Sequence, residues 1–154
     1  MKIRIKKFRE DLKVPTRGHY NDAGLDCYAL NDVTIHPMTY NYLEINKDGT
    51  EELHTNNGVE VQLGFGLEIP DGYMATIRPR SSMNKKGIIT LLGTVDSGYI
   101  GELKAMFLNA TNKSYTIKKG DKICQIVIEP VIIADLVDEL GPERGTGGFG
   151  STGK

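Results

Sequence analysis

An alternation of apolar residues over positions 59–69 restricts the fold of this chain more than any other feature of its sequence. Every odd position in this stretch is apolar: Val59, Val61, Leu63, Phe65, Leu67 and Ile69. A period of two predicts one β-strand, or two strands that share a buried face. The turn residues Pro70-Asp71-Gly72 end the alternation, and Tyr73–Arg78 is predicted to return as the next strand.

Short strands are predicted along most of the remaining chain. They cover Lys2–Phe8, Leu25–Leu30, Val33–Ile35, Tyr40–Ile45, Ile88–Leu92, Glu102–Leu108 and Ile123–Ile128. Helix signals are limited to Ser81–Gly87, where a serine would be the N-cap and Gly87 the stop. The segment 131–140 fits helix or strand, and its β-branched residues favour extended structure. The pattern predicts an all-β fold: an antiparallel sandwich, jelly roll or closed barrel, with at most one short helix.

Length and charge restrict the class of protein. The 154 residues suit a single domain, for which we predict the range 1–142. A formal net charge of −1 argues against a nucleic-acid partner. No apolar run is long enough to cross a bilayer, and the charged N-terminus is unlike a signal peptide, so no membrane partner is expected. We expect a cytoplasmic protein; a nuclear location or a virus- or phage-encoded origin is also compatible.

Metal-binding and thiol chemistry have little support. His19, His36 and His54 lack ligand spacing for one another or for the cysteines, so no zinc site is predicted. Cys27 and Cys124 lie in apolar segments, which favours two buried free thiols over a disulfide. Catalysis, if present, must use carboxylates, hydroxyls, arginines and backbone amides.

The glycine-rich C-terminus is the first candidate for a functional segment. Five of the last ten residues are glycine, and Arg144, Phe149 and Ser151 lie among or just before them. Glycine-rich backbone, hydroxyl donors and an arginine can all bind phosphate. A disordered terminus is the alternative interpretation, but Phe149 would gain nothing in a solvated tail.

Three internal segments are further candidates. Arg78-Pro79-Arg80-Ser81-Ser82 joins a strand to the short helix, and its arginines and helix amides could bind phosphate. Gly93–Glu102 predicts a hairpin that carries Asp96 and Tyr99. Ala23-Gly24-Leu25-Asp26 places an aspartate at the start of a strand. Each segment, taken alone, also fits a purely structural turn or cap.

Taken together and in order, these segments resemble the five motifs of trimeric dUTPases. The matching segments are Ala23–Asp26, Arg80–Ser82, Gly93–Glu102, Gly120–Gln125 and Arg144–Gly153. The resemblance implies a distorted β jelly roll of the β-clip type and a homotrimer whose active sites are each built from three subunits. It also implies a hydrolase of nucleotide metabolism that converts dUTP to dUMP and pyrophosphate with Mg²⁺. Residues 46–58, which are polar with two turn signals, would be an inserted exposed hairpin, and residues 143–154 a flexible arm that closes over the nucleotide.

The resemblance implies roles for individual residues. Asp96 would hold and deprotonate the water that attacks the α-phosphorus, and Asp26 would act in catalysis by reaching the metal through water. The hairpin from about Thr90 to Tyr99, which includes Thr94 and Val95, would read uracil through backbone groups, and Tyr99 would pack beneath the deoxyribose.

The remaining implied contacts involve the phosphates and the arm. The phosphates would be bound by Arg80, Ser81, Ser82 and Gln125, and the arm would contribute Arg144, Phe149, Gly150 and Ser151, with Phe149 stacking on uracil. Thr90 stands where relatives often carry Asn, so a side-chain contact between Thr90 and uracil is left open.

Two other functions compete with this one. A zinc-free dCTP deaminase, or a bifunctional relative, shares the family's fold and an Arg-Ser-Ser segment, but it uses a glutamate at the pyrimidine where this chain has Asp96. A non-catalytic nucleotide-sensing regulatory protein, with residues 46–58 as its contact surface, is the other alternative. The intact Asp96 and the C-terminal motif argue against a loss of activity.

Overall fold

The computed structural model describes residues 1–39 and 41–138, and this part of the chain is almost entirely β-structure. Its strands are β1 (Arg4–Lys7), β2 (Leu25–Tyr28), β3 (Val33–Ile35), β4 (Asn41–Ile45), β5 (Glu51–Thr55), β6 (Val59–Gln62), β7 (Phe65–Glu68), β8 (Tyr73–Pro79), β9 (Ile88–Thr90), β10 (Gly93–Val95), β11 (Lys104–Asn109), β12 (Tyr115–Ile117) and β13 (Lys122–Pro130). The one helix of the described residues, α1, spans Ser81–Asn84. The predicted all-β fold with one short helix is confirmed.

The strands pair antiparallel in five small sheets. The largest sheet has the order β10-β8-β13-β2, and the next has the order β6-β11-β9. The strand pairs β1-β7, β12-β3 and β4-β5 complete the set. Apolar side chains from four of these sheets form one core, whose largest fully buried members are Phe65, Phe107, Leu63, Ile35, Ile88, Ile117, Ile123 and Ile126. This core fixes β8, β10 and β13, and most candidate site residues of the described chain lie on these strands or directly after them.

The alternation over residues 59–69 forms two strands that share one buried face. β6 pairs with β11, whereas β7 pairs with β1, so the chain changes sheets between them. The change occurs at Gly64, whose φ of +78° is a conformation that glycine adopts without strain. The apolar side chains on both sides of this break remain buried: Val61, Leu63, Phe65, Leu67 and Ile69.

Two local predictions are wrong. The N-cap of α1 is Arg80 rather than a serine, and no side chain caps the helix, because the extended backbone of β8 continues to Arg80 (φ −99°, ψ 138°). Residues 131–138 lie in no strand of the described chain, although their sequence favours extended structure. Their apolar side chains are largely exposed, among them Ile132 (91%) and Leu136 (98%).

The exposed hairpin begins earlier than the predicted segment 46–58, because its first strand is β4, which pairs with β5 through Tyr42 and His54, and the chain turns at Gly49 between them. The prediction for the two cysteines is confirmed. Cys27 and Cys124 are buried free thiols that lie directly opposite each other on β2 and β13. Hydrogen bonding to Cys124, with burial, raises the pKa of Cys27 well above its ordinary value. Within residues 1–39 and 41–138, no helix has the length and apolar character needed to span a membrane.

Candidate active site

One cleft lies where β8 ends and β13 begins, beside the edge strand β2. It has a volume of about 450 Å³ and is lined by Gly18, His19, Asp22, Asp26, Arg80, Ser81, Ser82, Lys122 and Gln125. We call it the Arg80 cleft. The fold brings together here five predicted site residues from three distant segments of the chain: Asp26, Arg80, Ser81, Ser82 and Gln125.

Asp26 joins the two cations of this cleft. Its Oδ1 accepts a hydrogen bond from Arg80 Nε at 2.8 Å, and its Oδ2 lies 2.8 Å from Lys122 Nζ. The Asp26 side chain is only 14% exposed, so both pairs are partly shielded from water. The hydrogen bond to Asp26 raises the pKa of Lys122 above its ordinary value, which keeps the ammonium group charged. One carboxylate therefore positions two cations side by side.

Arg80 and Gln125 are held by further hydrogen bonds. Arg80 Nη1 donates to the carbonyl oxygen of Lys122 at 3.0 Å and to Ser82 Oγ at 3.2 Å. Gln125 Nε2 donates to the carbonyl oxygen of Pro79 at 3.0 Å. A Cβ atom at Gly24 would overlap the side-chain amide of Gln125, so the glycine that precedes Leu25 and Asp26 gives this amide its space.

The loop before β2 forms the other wall of the Arg80 cleft. Asp22 Oδ2 accepts a hydrogen bond from the backbone N–H of His19 at 2.8 Å, and this bond is the main reason that the pKa of Asp22 is lowered. Arg17 Nε donates to the carbonyl oxygen of Asp22 at 2.7 Å. The Asp22 carboxylate is thus held by a hydrogen bond within its own loop, while the Arg80–Asp26–Lys122 group lines the same cleft.

A second cleft follows β10, at the other edge of the four-stranded sheet. It has a volume of about 260 Å³ and is lined by Ile77, Gly93, Thr94, Val95, Asp96, Tyr99, Glu102, Leu103 and Lys104. We call it the Asp96 cleft. Four predicted site residues line it: Thr94, Val95, Asp96 and Tyr99. Asp96 is exposed, and its carboxylate has no ion pair within the described part of the chain.

A tight turn sets the Tyr99 ring over the following backbone. Gly98 has a φ of +79°, and the Tyr99 N–H donates to the carbonyl oxygen of Asp96 at 3.3 Å. The Tyr99 hydroxyl donates to the carbonyl oxygen of Glu102 at 3.3 Å. A Cβ atom at Gly101 would clash with the phenol ring, so this glycine lets the ring lie flat against the chain. Tyr99 remains 48% exposed and presents its ring to the cleft.

Thr90 is the one predicted site residue of the described chain that lines neither cleft. It lies on β9 opposite Phe107 and is 3% exposed. Its Oγ1 is buried without a hydrogen-bond partner among the described residues. An unpaired buried hydroxyl costs about 1–3 kcal/mol, so this group is a site that a bound ligand could satisfy.

The two clefts lie at opposite edges of one sheet. The Asp96 cleft follows the edge strand β10 and the Arg80 cleft borders the edge strand β2, with β8 and β13 between them. Three inter-strand spacings place the edge strands about 14 Å apart. Within residues 1–39 and 41–138, no residue lines both clefts.

Sequence reasoning missed several lining residues. Lys122 lies in the segment Gly120–Gln125, from which only Gln125 was singled out, and its cationic side chain beside Gln125 was the available signal. Glu102, the last residue of the segment Gly93–Glu102, also lines a cleft, as do His19, Asp22 and Lys104, which lie outside the matching segments and carry no comparable signal. The predicted arm residues Arg144, Phe149, Gly150 and Ser151 lie outside the described residues.

Comparison with known proteins explains why these motifs occur together. The family model described as dUTPase matches residues 43–153. The chain is 39% identical to the deoxyuridine 5'-triphosphate nucleotidohydrolase of Nautilia profundicola, over 100% of both chains. It is 37% identical to the enzyme of the same name from Paramecium bursaria Chlorella virus 1, over 97% of this chain and 96% of that one.

Solved structures agree with the observed architecture. The dUTPase of Staphylococcus bacteriophage 80alpha, in complex with dUpNHpp, has a TM-score of 0.77 and 24% sequence identity, and the match covers 99% of this chain and 98% of that one. The jelly-roll fold expected from the sequence is therefore confirmed. Since the family model and the relatives span most of the sequence, and the motifs line two well-formed clefts, this chain belongs to the dUTPase family.

Proposed function

We propose that this protein hydrolyses dUTP to dUMP and pyrophosphate by attack of water on the α-phosphorus. The observation that carries the proposal is the combination, in a chain of this family, of two clefts: one has an exposed carboxylate with no ion pair among the described residues, and the other presents Arg80 and Lys122 on either side of Asp26. The first provides a base for water and the second provides charge for a polyphosphate. The curated relatives are named for the same reaction.

Asp96 acts as the general base. Its carboxylate is exposed in the cleft and is not neutralised by a cation of the described chain, so it is free to accept a proton from a bound water. The α-phosphorus must then lie next to Asp96, with the nucleoside in the same cleft. The open Asp96 cleft has room for the deoxyribose against the Tyr99 ring.

The β10 hairpin reads the nucleoside. Backbone groups of Thr94 and Val95, at the edge of the sheet, offer donors and acceptors to the uracil edge. Thr90 contributes its hydroxyl, which has no partner among the described residues. Tyr99 beneath the sugar leaves no space for a 2′-hydroxyl, which selects dUTP over UTP sterically.

The Arg80 cleft binds the phosphates. Arg80 supplies a guanidinium group, Ser81 and Ser82 supply hydroxyls and backbone N–H groups, and Gln125 supplies an amide. Fixed donors of this kind stabilise the charge that develops on the phosphoryl oxygens during water attack.

The residues of the Arg80 cleft fit a magnesium ion that arrives with the substrate. Among the described residues there is no cluster of three or more metal-binding side chains, and Mg²⁺ is commonly held by substrate phosphates and water with one or two carboxylates. Asp26 is the carboxylate that would contact it through water, since it lines the cleft proposed for the phosphates that carry the ion. Magnesium, when bound, neutralises phosphate charge and orients the triphosphate. The dUTPase from phage phi11 of S. aureus coordinates a structural Mg(II) ion.

The C-terminal residues 143–154 form an arm that closes over the nucleotide. Phe149 stacks on uracil, Arg144 meets phosphate, and Gly150 and Ser151 add backbone and hydroxyl donors. Both described clefts are open, so closure has to come from another part of the chain or from another subunit.

The protein acts as a homotrimer. The separation of the two clefts in one chain supports this assembly, because a neighbouring subunit can bring its Asp96 cleft to this subunit's Arg80 cleft. An apolar groove of about 160 Å³ is lined by residues of β1, β2, β7 and β13, including Ile5, Phe65 and Ile128. The exposed apolar residues of 131–137 match such a groove in character, and burying them between subunits would remove apolar surface from water.

The test is pyrophosphate release from dUTP, dTTP, dCTP and UTP, with and without Mg²⁺. We expect release from dUTP alone, strongly reduced when Mg²⁺ is removed by a chelator. Ammonia release from dCTP would instead establish the deaminase, and binding of dUTP without any turnover would establish a nucleotide sensor.

A further inference from the structure

The start of β13 contains a β-bulge that changes which way its side chains face. Lys122 is opposite Tyr28 on β2, while Cys124 is opposite Cys27, so Ile123 is an extra residue in the ladder. In a regular strand, residues three apart point to opposite faces. Lys122 and Gln125 are three apart, and both nevertheless line the Arg80 cleft. The two consecutive buried residues between them, Ile123 and Cys124, mark the same irregularity. The bulge thus turns Lys122 into the cleft.

Lys122 is held there by two independent contacts. Its Nζ lies 2.8 Å from Asp26 Oδ2, and its carbonyl oxygen accepts a hydrogen bond from Arg80 Nη1 at 3.0 Å. The side chain is 39% exposed, so the ammonium group is accessible to a ligand in the cleft. Two cations, Lys122 and Arg80, therefore flank Asp26 and carry more positive charge than it neutralises, while the second carboxylate of the cleft, Asp22, is hydrogen-bonded within its own loop and ion-paired with neither cation.

The chemistry of the substrate assigns this surplus charge. The Asp96 cleft takes the nucleoside and the α-phosphorus, since the base must lie beside the attacked atom. The part of the substrate left for the Arg80 cleft is the β- and γ-phosphates, which carry most of the charge and leave as pyrophosphate. A lysine ammonium is a compact charge with three donors, which suits phosphate oxygens that are not held in one plane.

We infer that Lys122 binds the β- and γ-phosphates of the substrate, and that Asp26 holds its ammonium group in position before the substrate arrives. The inference rests on the proposed function and adds a substrate-binding residue to it. The inference predicts that the two products differ in their contacts: pyrophosphate contacts Lys122, whereas dUMP, which carries only the α-phosphate, does not.

The test measures product inhibition in Lys122→Met, which keeps the length of the side chain and removes its charge. We expect the inhibition constant of pyrophosphate and the KM for dUTP to rise about tenfold or more, as for loss of a hydrogen bond to a charged group. The inhibition constant of dUMP should stay within about twofold of the wild type. Lys118→Met is the matched control, because Lys118 is also ion-paired to an aspartate, Asp32 at 2.7 Å, and lines neither cleft.

Lys122→Arg provides the second variant and keeps the charge. An inhibition constant of pyrophosphate close to the wild-type value in Lys122→Arg supports a charge contact. An increase in this constant as large as in Lys122→Met overturns the inference. Equal weakening of pyrophosphate and dUMP binding in Lys122→Met would also overturn the inference, because it would show a general distortion of the site through Arg80.

A wild-type protein that releases no pyrophosphate from dUTP would instead refute the proposed function. In that case, calorimetric binding of pyrophosphate to the wild type and to Lys122→Met still tests the role of Lys122.

Discussion

Asp26 of the Arg80 cleft and Asp96 of the Asp96 cleft are both candidate site carboxylates, and their surroundings are opposite. Asp26 is mostly buried and both of its oxygens are paired with cations, Arg80 and Lys122. Asp96 is exposed and has no ion pair within residues 1–39 and 41–138. Both carboxylates lie at edges of the same four-stranded sheet, so the difference between them comes from the neighbouring side chains at each edge.

The comparison shows how one residue type serves two purposes. Both oxygens of Asp26 are occupied by cations, so this carboxylate is suited to positioning charge. The Asp96 carboxylate has no ion pair among the described residues, so its oxygens are open to a bound water. We therefore expect substitutions at Asp96 to change turnover without changing stability, and substitutions at Asp26 to change both stability and binding.

The largest effect is expected for Asp96→Asn. Loss of the general base should lower kcat by about 10²–10⁴-fold, while dUTP binding and Tm stay close to wild type because no ion pair is lost. Steady-state kinetics, calorimetry with a non-hydrolysable dUTP analogue and thermal unfolding measure the three quantities. Asp71→Asn, at an exposed turn outside both clefts, is the control. Turnover near the wild-type value would show that another group activates the water.

Asp26→Asn should give the complementary result. Arg80 and Lys122 would then lie side by side without a neutralising charge, so we expect a Tm lower by about 2–8 °C. The KM for dUTP should rise, because the two cations lose the group that positions them. The control is Asp32→Asn, which removes the exposed carboxylate paired with Lys118. An unchanged Tm with a fall in kcat alone would contradict the positioning role.

The smallest effect is expected for Thr90→Val. Valine has the shape of threonine and removes the hydroxyl that has no partner among the described residues, so Tm should rise slightly. If the hydroxyl contacts uracil in the complex, the KM for dUTP should rise about two- to tenfold, the range for one neutral hydrogen bond. Thr116→Val, at an exposed strand position, should leave KM unchanged. A KM equal to wild type would assign Thr90 to the core alone.

Much of the fold could be predicted because burial repeats along the sequence with a period of two. Val61, Phe65 and Ile69 carry that signal directly, and the break between their strands depends only on Gly64. The N-cap of α1 could not be predicted, since Arg80 occupies it with a side chain committed to Asp26, 54 residues away.

The candidate site was predictable at the level of motifs rather than contacts. Asp26, Arg80 and Gln125 were found in the sequence, but their meeting in one cleft depends on pairing between distant strands. Lys122 was missed for a local reason, because strict alternation assigns it to the face opposite Gln125 and only the bulge at Ile123 reverses this. The β-branched residues of the segment 131–140 favoured extended structure in the sequence, and in the single chain the apolar side chains Ile132, Ile133, Leu136 and Val137 are exposed.

The position of the two clefts at opposite edges of one sheet has a consequence for mixtures of two variant chains. If each active site combines the Asp96 cleft of one subunit with the Arg80 cleft of another, an Asp96→Asn chain and an Arg80→Ala chain are both inactive alone, yet each retains what the other lacks. When the two chains are refolded together, about one site in four should contain both intact halves by random assembly. Recovery of activity in the mixture, absent from either chain alone, would be intersubunit complementation, and no recovery would mean that each chain builds its site by itself.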